Sequence, residues 1–134
     1  MARLIDTSLW IDFFRARSPQ NVKQLVAPFI LDPDAHLAEP VTFEVLRYAS
    51  AAEAAQIGLR FQAMPMLQTP PDLWTKATLL GQTCRRNGVS VLALDLLIAA
   101  VALHHGVEIV TFDVDFQHIA GATSLQVRVL QRLP

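Results

Sequence analysis

Cysteine is nearly missing from this chain, and its scarcity removes whole classes of architecture. Cys84 is the single cysteine among 134 residues, which excludes an internal disulfide framework and any cysteine-based metal centre. Its place on an apolar helical face makes it a packing residue. Charge is scarce too: Asp, Glu, Lys and Arg make up 17% of the chain and the formal net charge is −1. A salt-driven nucleic-acid binder carries a basic excess, so any nucleic-acid site here is a local patch. Long apolar runs are absent as well. The longest, Leu96 to Leu103, has the length of a buried helix and falls short of the roughly 18 residues of a membrane span. The opening Met-Ala-Arg-Leu-Ile-Asp lacks the charged start and long apolar stretch of a secretory signal, so a cytoplasmic location is expected. No Walker loop, dinucleotide fingerprint, HExxH or nucleophile elbow occurs, and the corresponding nucleotide-hydrolase, dehydrogenase, zincin and α/β-hydrolase readings fall away.

What the chain does have is apolar residues, 52% of the total, with a mean hydropathy of +0.34. Its length fits a single domain over residues 1–134 with one core, and the apolar excess points to interface surface. Arg3 to Thr7 reads as a buried strand, followed by a helix capped by Ser8 and carrying Leu9, Trp10, Phe13 and Phe14. These aromatics are expected at a partner interface. Ser18-Pro19 opens a second helix that Pro28 should end or kink near Ala27, and Asp32-Pro33-Asp34 is a turn. His36 to Ala38 reads as a short strand, Val41 to Ser50 as a helix, and Ala54, Ile57, Gly58 and Phe61 as one face of another. Leu73, Ala77, Leu80 and Cys84 share a face of a helix that Arg85-Arg86-Asn87-Gly88 closes. Asp95 starts a helix apolar on nearly every side, ending at His104-His105-Gly106, where both histidines suit a helix C-terminus. Val107 to Phe112 reads as a buried strand, Val114 to Ala120 as a helical turn, and Leu125, Val127 and Val129 as a half-exposed strand. Strands and helices are thus expected to alternate throughout, in an α/β domain with a mostly parallel sheet covered on both faces.

Four acids stand among residues that favour burial: Asp6, Glu44, Asp95 and Asp113. An ionised carboxylate in a low dielectric is costly unless paired, hydrogen-bonded or metal-bound. Ligands of open α/β sheets bind beyond the carboxyl ends of the strands, where Asp6, Asp95 and Asp113 are expected to face one rim, with Glu44 reaching it from its helix. Oxygen-only ligation of this kind suits Mg²⁺ or Mn²⁺. Ordinary roles compete: Asp6 and Asp95 as helix caps, Asp113 with Asp115 in an Asx turn, and Glu44 in an i,i+3 pair with Arg47. Capping does not explain Glu44, and the acids as a set favour a site.

Four blocks carry a family resemblance: Leu4-Ile-Asp-Thr-Ser-Leu-Trp-Ile-Asp-Phe-Phe-Arg15, Glu44-Val-Leu-Arg47, Asp95-Leu-Leu-Ile-Ala-Ala-Val-Ala102 and Thr111-Phe-Asp-Val-Asp-Phe116. In this order they resemble the PIN-domain family, most closely VapC-type toxins of bacterial toxin/antitoxin pairs. The resemblance implies a small three-layer PIN-like fold, Mg²⁺- or Mn²⁺-dependent endoribonuclease activity, a homodimer and a VapB-like antitoxin. It implies the acidic quartet Asp6, Glu44, Asp95 and Asp113 as catalytic and metal-binding residues, Asp115 as a fifth ligand, and Ser8 and Thr111 as supporting hydroxyls. Arg47, one helical turn from Glu44, is a candidate phosphate contact. The expected chemistry is cleavage of structured RNA, tRNA or rRNA, by a metal-activated water. A catalytically silent PIN-like binding module and a housekeeping RNA-processing nuclease are the alternatives.

Overall fold

The computed structural model describes residues 1–132. Four short strands form one parallel sheet: β1 (Arg3–Ile5), β2 (Ala35–His36), β3 (Glu108–Thr111) and β4 (Gln126–Val129), in the order β2-β1-β3-β4. Neighbouring residues along a strand point to opposite faces. Leu4 and Ile5 of β1, and Ile109 and Val110 of β3, are all fully buried, so the sheet is covered on both faces and the domain has three layers. The covering helices are α1 (Thr7–Phe14), α2 (Gln20–Ile30), α3 (Glu39–Arg47), α4 (Ala51–Gln62), α5 (Leu73–Arg86), α6 (Ala93–His105) and α7 (Asp115–Ala122). The expected α/β class holds, but strict alternation does not. Four helices follow one another between β2 and β3, because the segment around Val89 to Val91 finds no neighbour in the sheet and runs straight into α6.

The chain winds outward from β1 to β2, then returns to the far side of β1 to form β3 and β4. The sheet therefore has its switch point between β1 and β3, the place where an open parallel sheet leaves a crevice beyond its strand ends. The pairing Ile5↔Val110 brings the next residues, Asp6 and Thr111, side by side at that crevice. α6 supports them from within: Ile98 to Ala102 are buried without interruption, as its all-round apolar sequence requires. Gly106 ends α6 in the left-handed conformation at φ 65°, which a residue with a Cβ adopts only at a cost.

Several local expectations are corrected. Trp10 is wholly buried, with Phe61 edge-on at 5.1 Å and its indole N–H donating to Ile5 O at 3.3 Å; it belongs to the core, not to an interface. α2 runs through Pro28 to Ile30, since a proline in the last turn forgoes only one bond on an exposed face. The first strand ends at Ile5 and the second spans Ala35–His36, with Leu37 bridging to Met66. α3 stops at Arg47, and Ser50, expected to lie in that helix, instead caps α4 in a reciprocal capping box with Glu53. α6 starts at Ala93, leaving Asp95 in its first turn.

Two substitutions test this frame by urea denaturation. Ser50→Ala loses the cap and is expected to lower stability by about 1 kcal/mol. Trp10→Ala opens a cavity beside Phe61 and is expected to lower it by about 3–5 kcal/mol.

Candidate active site

Asp6 occupies the N-cap position of α1, yet its side chain makes no capping bond. Its Oδ2 instead accepts Thr111 Oγ1 at 2.7 Å across the switch point and Ser8 Oγ at 3.0 Å. Ser8, expected to cap α1, lies inside that helix and its hydroxyl faces the sheet edge, where it also accepts the Phe112 N–H at 3.1 Å. Thr111 Oγ1 in turn accepts the Asp113 N–H at 2.9 Å. Two hydroxyls thus knit the end of β1 to the loop after β3.

Beyond this knot, Asp95, Asp113 and Asp115 each offer an oxygen within 4.8 Å of the other two. Asp113 and Asp115 come from one Asx turn, in which Asp113 Oδ1 accepts the Asp115 N–H at 2.8 Å. The turn role and a role in the cluster are therefore compatible: one oxygen of Asp113 closes the turn and the other remains. Asp95 Oδ2 is buried without a hydrogen-bond partner among the described residues. Asp6 and Glu44 do not share the 4.8 Å group, but both lie near enough to repel the Asp95 carboxylate. The other acids of the quartet, with Asp115, thus gather around Asp95, three of the five in contact range and Asp6 and Glu44 farther out.

Arg47 does not pair with Glu44. Its guanidinium hydrogen-bonds the Tyr48 hydroxyl and lies over the Tyr48 ring at 4.4 Å and the Phe43 ring at 5.8 Å. One buried acid escaped the sequence reading: Asp12 of α1, held by Arg132 at 2.9 Å. Its signal was the same as that of the quartet, a carboxylate among Leu9, Trp10, Ile11, Phe13 and Phe14.

Electrostatically the crevice is overloaded. Burial, reinforced by the charges of Asp6, Asp113, Glu44 and Asp115, pushes the Asp95 carboxyl up to about 7. Burial also raises Asp6, against the pull of the Thr111 and Ser8 hydroxyls. An all-oxygen donor set, an orphaned buried oxygen and mutual repulsion fit a hard divalent cation, which would bond the orphan and cancel the repulsion. A carboxyl whose folded pKa lies above its unfolded value is protonated more readily when folded. Its cost to stability is therefore complete above about pH 7 and disappears as pH falls towards the unfolded value near 4. In metal-free buffer the Tm is expected to rise as pH is lowered from about 8 to about 5. Asp95→Asn should flatten that rise and melt above wild type at the alkaline end, as calorimetry would register.

Comparison with known proteins agrees with this architecture. A family model described as PIN domain matches residues 3–122. Ribonuclease VapC11 of Mycobacterium tuberculosis is 33% identical over 129 residues, covering 92% of this chain and 95% of that protein. Among solved structures, VapBC2 of Rickettsia felis bound to a DNA fragment from their promoter superposes with a TM-score of 0.77 at 12% identity, over 98% of this chain and 100% of that one. VapC20 of M. tuberculosis, described as a sarcin-ricin loop cleaving toxin, gives 0.70 at 20% identity over 92% and 98%. At those identities the two structures speak for the fold, while the family match and the full-length relative speak for descent. This chain belongs to the PIN-domain family.

Proposed function

We propose that this protein is a metal-dependent endoribonuclease that acts as the toxin of a toxin/antitoxin pair and cuts structured RNA, either tRNA or rRNA. The observation that carries the proposal is the cluster itself: three carboxylates within 4.8 Å of one another, among which burial first, and then the charges of Asp6, Asp113, Glu44 and Asp115, push the Asp95 carboxyl up to about 7. The names of the full-length relatives, VapC ribonucleases, support ribonuclease chemistry, and VapBC complexes among the structures of like fold support an antitoxin partner.

Asp95, Asp113 and Asp115 would hold Mg²⁺ or Mn²⁺, with Asp6 and Glu44 completing the acidic wall. Such a cation, when bound, supplies Lewis-acid polarisation of a phosphodiester and lowers the pKa of an attacking water. Thr111 and Ser8 both bond one oxygen of Asp6 and so hold its carboxylate in place beside the cluster. The buried floor formed by α6 keeps the Asp95 carboxylate from turning to bulk water, which preserves its affinity for positive charge. Arg47, exposed one turn beyond Glu44, is a phosphate contact on the approach to the site. Its stacking on Tyr48 leaves guanidinium donors free.

A groove of about 780 Å³ lined by Ile11, Phe14, Arg15, Val45, Tyr48 and Ile57 borders the same helices, α1 and α3. Its apolar floor suits an amphipathic segment of a VapB-like antitoxin. Exposed Trp74, Leu79 and Leu92 offer apolar surface for a second copy in a homodimer. A cytoplasmic location is the setting such a toxin requires; no helix among the described residues is long and apolar enough to cross a membrane.

Incubation of the purified protein with total cellular RNA, with and without Mn²⁺, followed by mapping of new 5′ ends, tests the proposal. Discrete cleavage in one tRNA or rRNA is expected only with the metal. Asp6→Asn and Asp95→Asn should each lower the rate at least ~100-fold, the scale lost with an essential electrostatic group. Undiminished cleavage by either variant would remove the site from the reaction. Induced expression should arrest growth, with relief by the product of a neighbouring gene.

A further inference from the structure

Arg132 lies in the segment after β4 and joins two parts of the site without touching any acid of the cluster. Its Nε donates to Asp12 Oδ2 at 2.9 Å, and Nη2 stands at ion-pair distance, 2.9 Å, from the same oxygen. Asp12 is buried in α1, where a carboxylate without a partner is costly, and half-exposed Arg132 supplies that partner from the surface. The same guanidinium lies 4.2 Å from the centre of the Phe112 ring, a cation–π contact. α1 begins directly after Asp6, and Phe112 directly precedes Asp113. One side chain therefore spans from the helix that Asp6 heads to the loop that carries Asp113 and Asp115.

The Ser8 and Thr111 hydroxyls hold the loop where it leaves the sheet, at the Phe112 and Asp113 amides, and past those anchors it has less behind it. A cavity of about 500 Å³ opens beside it, lined by Phe112, Val114, Gln117, Val129 and Arg132 among others, and Val114 is exposed. Core packing thus reaches the loop at its two ends, at partly buried Phe112 and at fully buried Phe116, with exposed Val114 between them. The Leu130 N–H donating to Thr111 O at 2.8 Å brings the segment after β4 up to the loop, and Arg132 closes it against α1.

We propose that Arg132 is a positioning residue: with Asp12 and Phe112 it forms a clasp that sets the Asp113–Asp115 turn at cation-binding distance from Asp95. The inference rests on the reading of the acids as a metal site. The clasp acts one step beyond the outer-shell partners that bond metal ligands directly, whose loss weakens affinity roughly 10–100-fold, so its loss is expected at the low end of that range.

The test compares wild type, Arg132→Gln and the double variant Asp12→Asn/Arg132→Gln, which leaves no lone buried charge and so keeps its stability. Mn²⁺ binding is followed by calorimetric titration, and amide hydrogen exchange at Phe112 and Asp115 is followed in metal-free protein. Both variants are expected to bind Mn²⁺ about 10-fold more weakly and to exchange faster at those two amides. A merely structural ion pair would give recovery of both measurements in the double variant, together with its stability. Wild-type affinity or wild-type exchange in the double variant overturns the clasp. Failure of the wild type itself to bind Mn²⁺ overturns the metal-site reading instead, while the exchange rates still judge the clasp.

Discussion

The bond from Thr111 Oγ1 to Asp6 Oδ2 across the switch point, at 2.7 Å, holds the rest of the site in register. It depends on the parallel pairing of β1 with β3, which sets Ile5 opposite Val110 and so makes Asp6 and Thr111 neighbours despite their separation along the chain. Ser8 and the Asp113 N–H attach to the same two side chains. A buried carboxylate, two hydroxyls and a backbone amide thereby fix where the loop after β3 departs from the sheet. That departure point directs the Asp113–Asp115 turn toward Asp95, which arrives from a different layer.

The same geometry concentrates like charge. Asp95 stands in the first turn of the most deeply buried helix, facing Asp113 and Asp115, with Asp6 and Glu44 beyond. Free energy of folding is being spent to keep these groups together, since repulsion and burial both favour their protonation. Natural domains tolerate such local conflict at functional sites when the surrounding core over-determines it. Here the over-determination is visible: the buried residues Leu4, Ile5, Ile109 and Val110 of β1 and β3 on one side, α6 on the other, and Trp10 locking α1 against Ile5 and Phe61.

Much of the fold could be read from residue patterns because its elements are signalled locally. The Arg85-Arg86-Asn87-Gly88 stop ends α5 as expected, and the run from Leu96 to Leu103 is a central helix. The misreadings share one cause, tertiary packing outweighing a local signal. Ser8 has a capping hydroxyl, but the nearby sheet edge offers better partners. Pro28 should interrupt α2, but Val26 and Ile30 are both buried on the inner side of that helix and hold its last turn in place. Trp10 looked suited to an interface because periodicity shows which face is apolar and not what covers it.

The candidate site divides along the same line. By itself the sequence determined which residues carry negative charge into apolar surroundings, because the burial preference of flanking residues is a property of composition over a few positions. The Asx turn of Asp113 and Asp115, which the sequence offered as a competing role, is also local, a carboxylate bonding the amide two positions on. Only the tertiary structure decided that Asp95 joins those two more tightly than Asp6 or Glu44 does, that Arg47 turns to Tyr48 instead of Glu44, and that Arg132 reaches Asp12 and Phe112. Those distances are set by strand register and helix packing between segments remote in the chain, and no spacing within one segment encodes them.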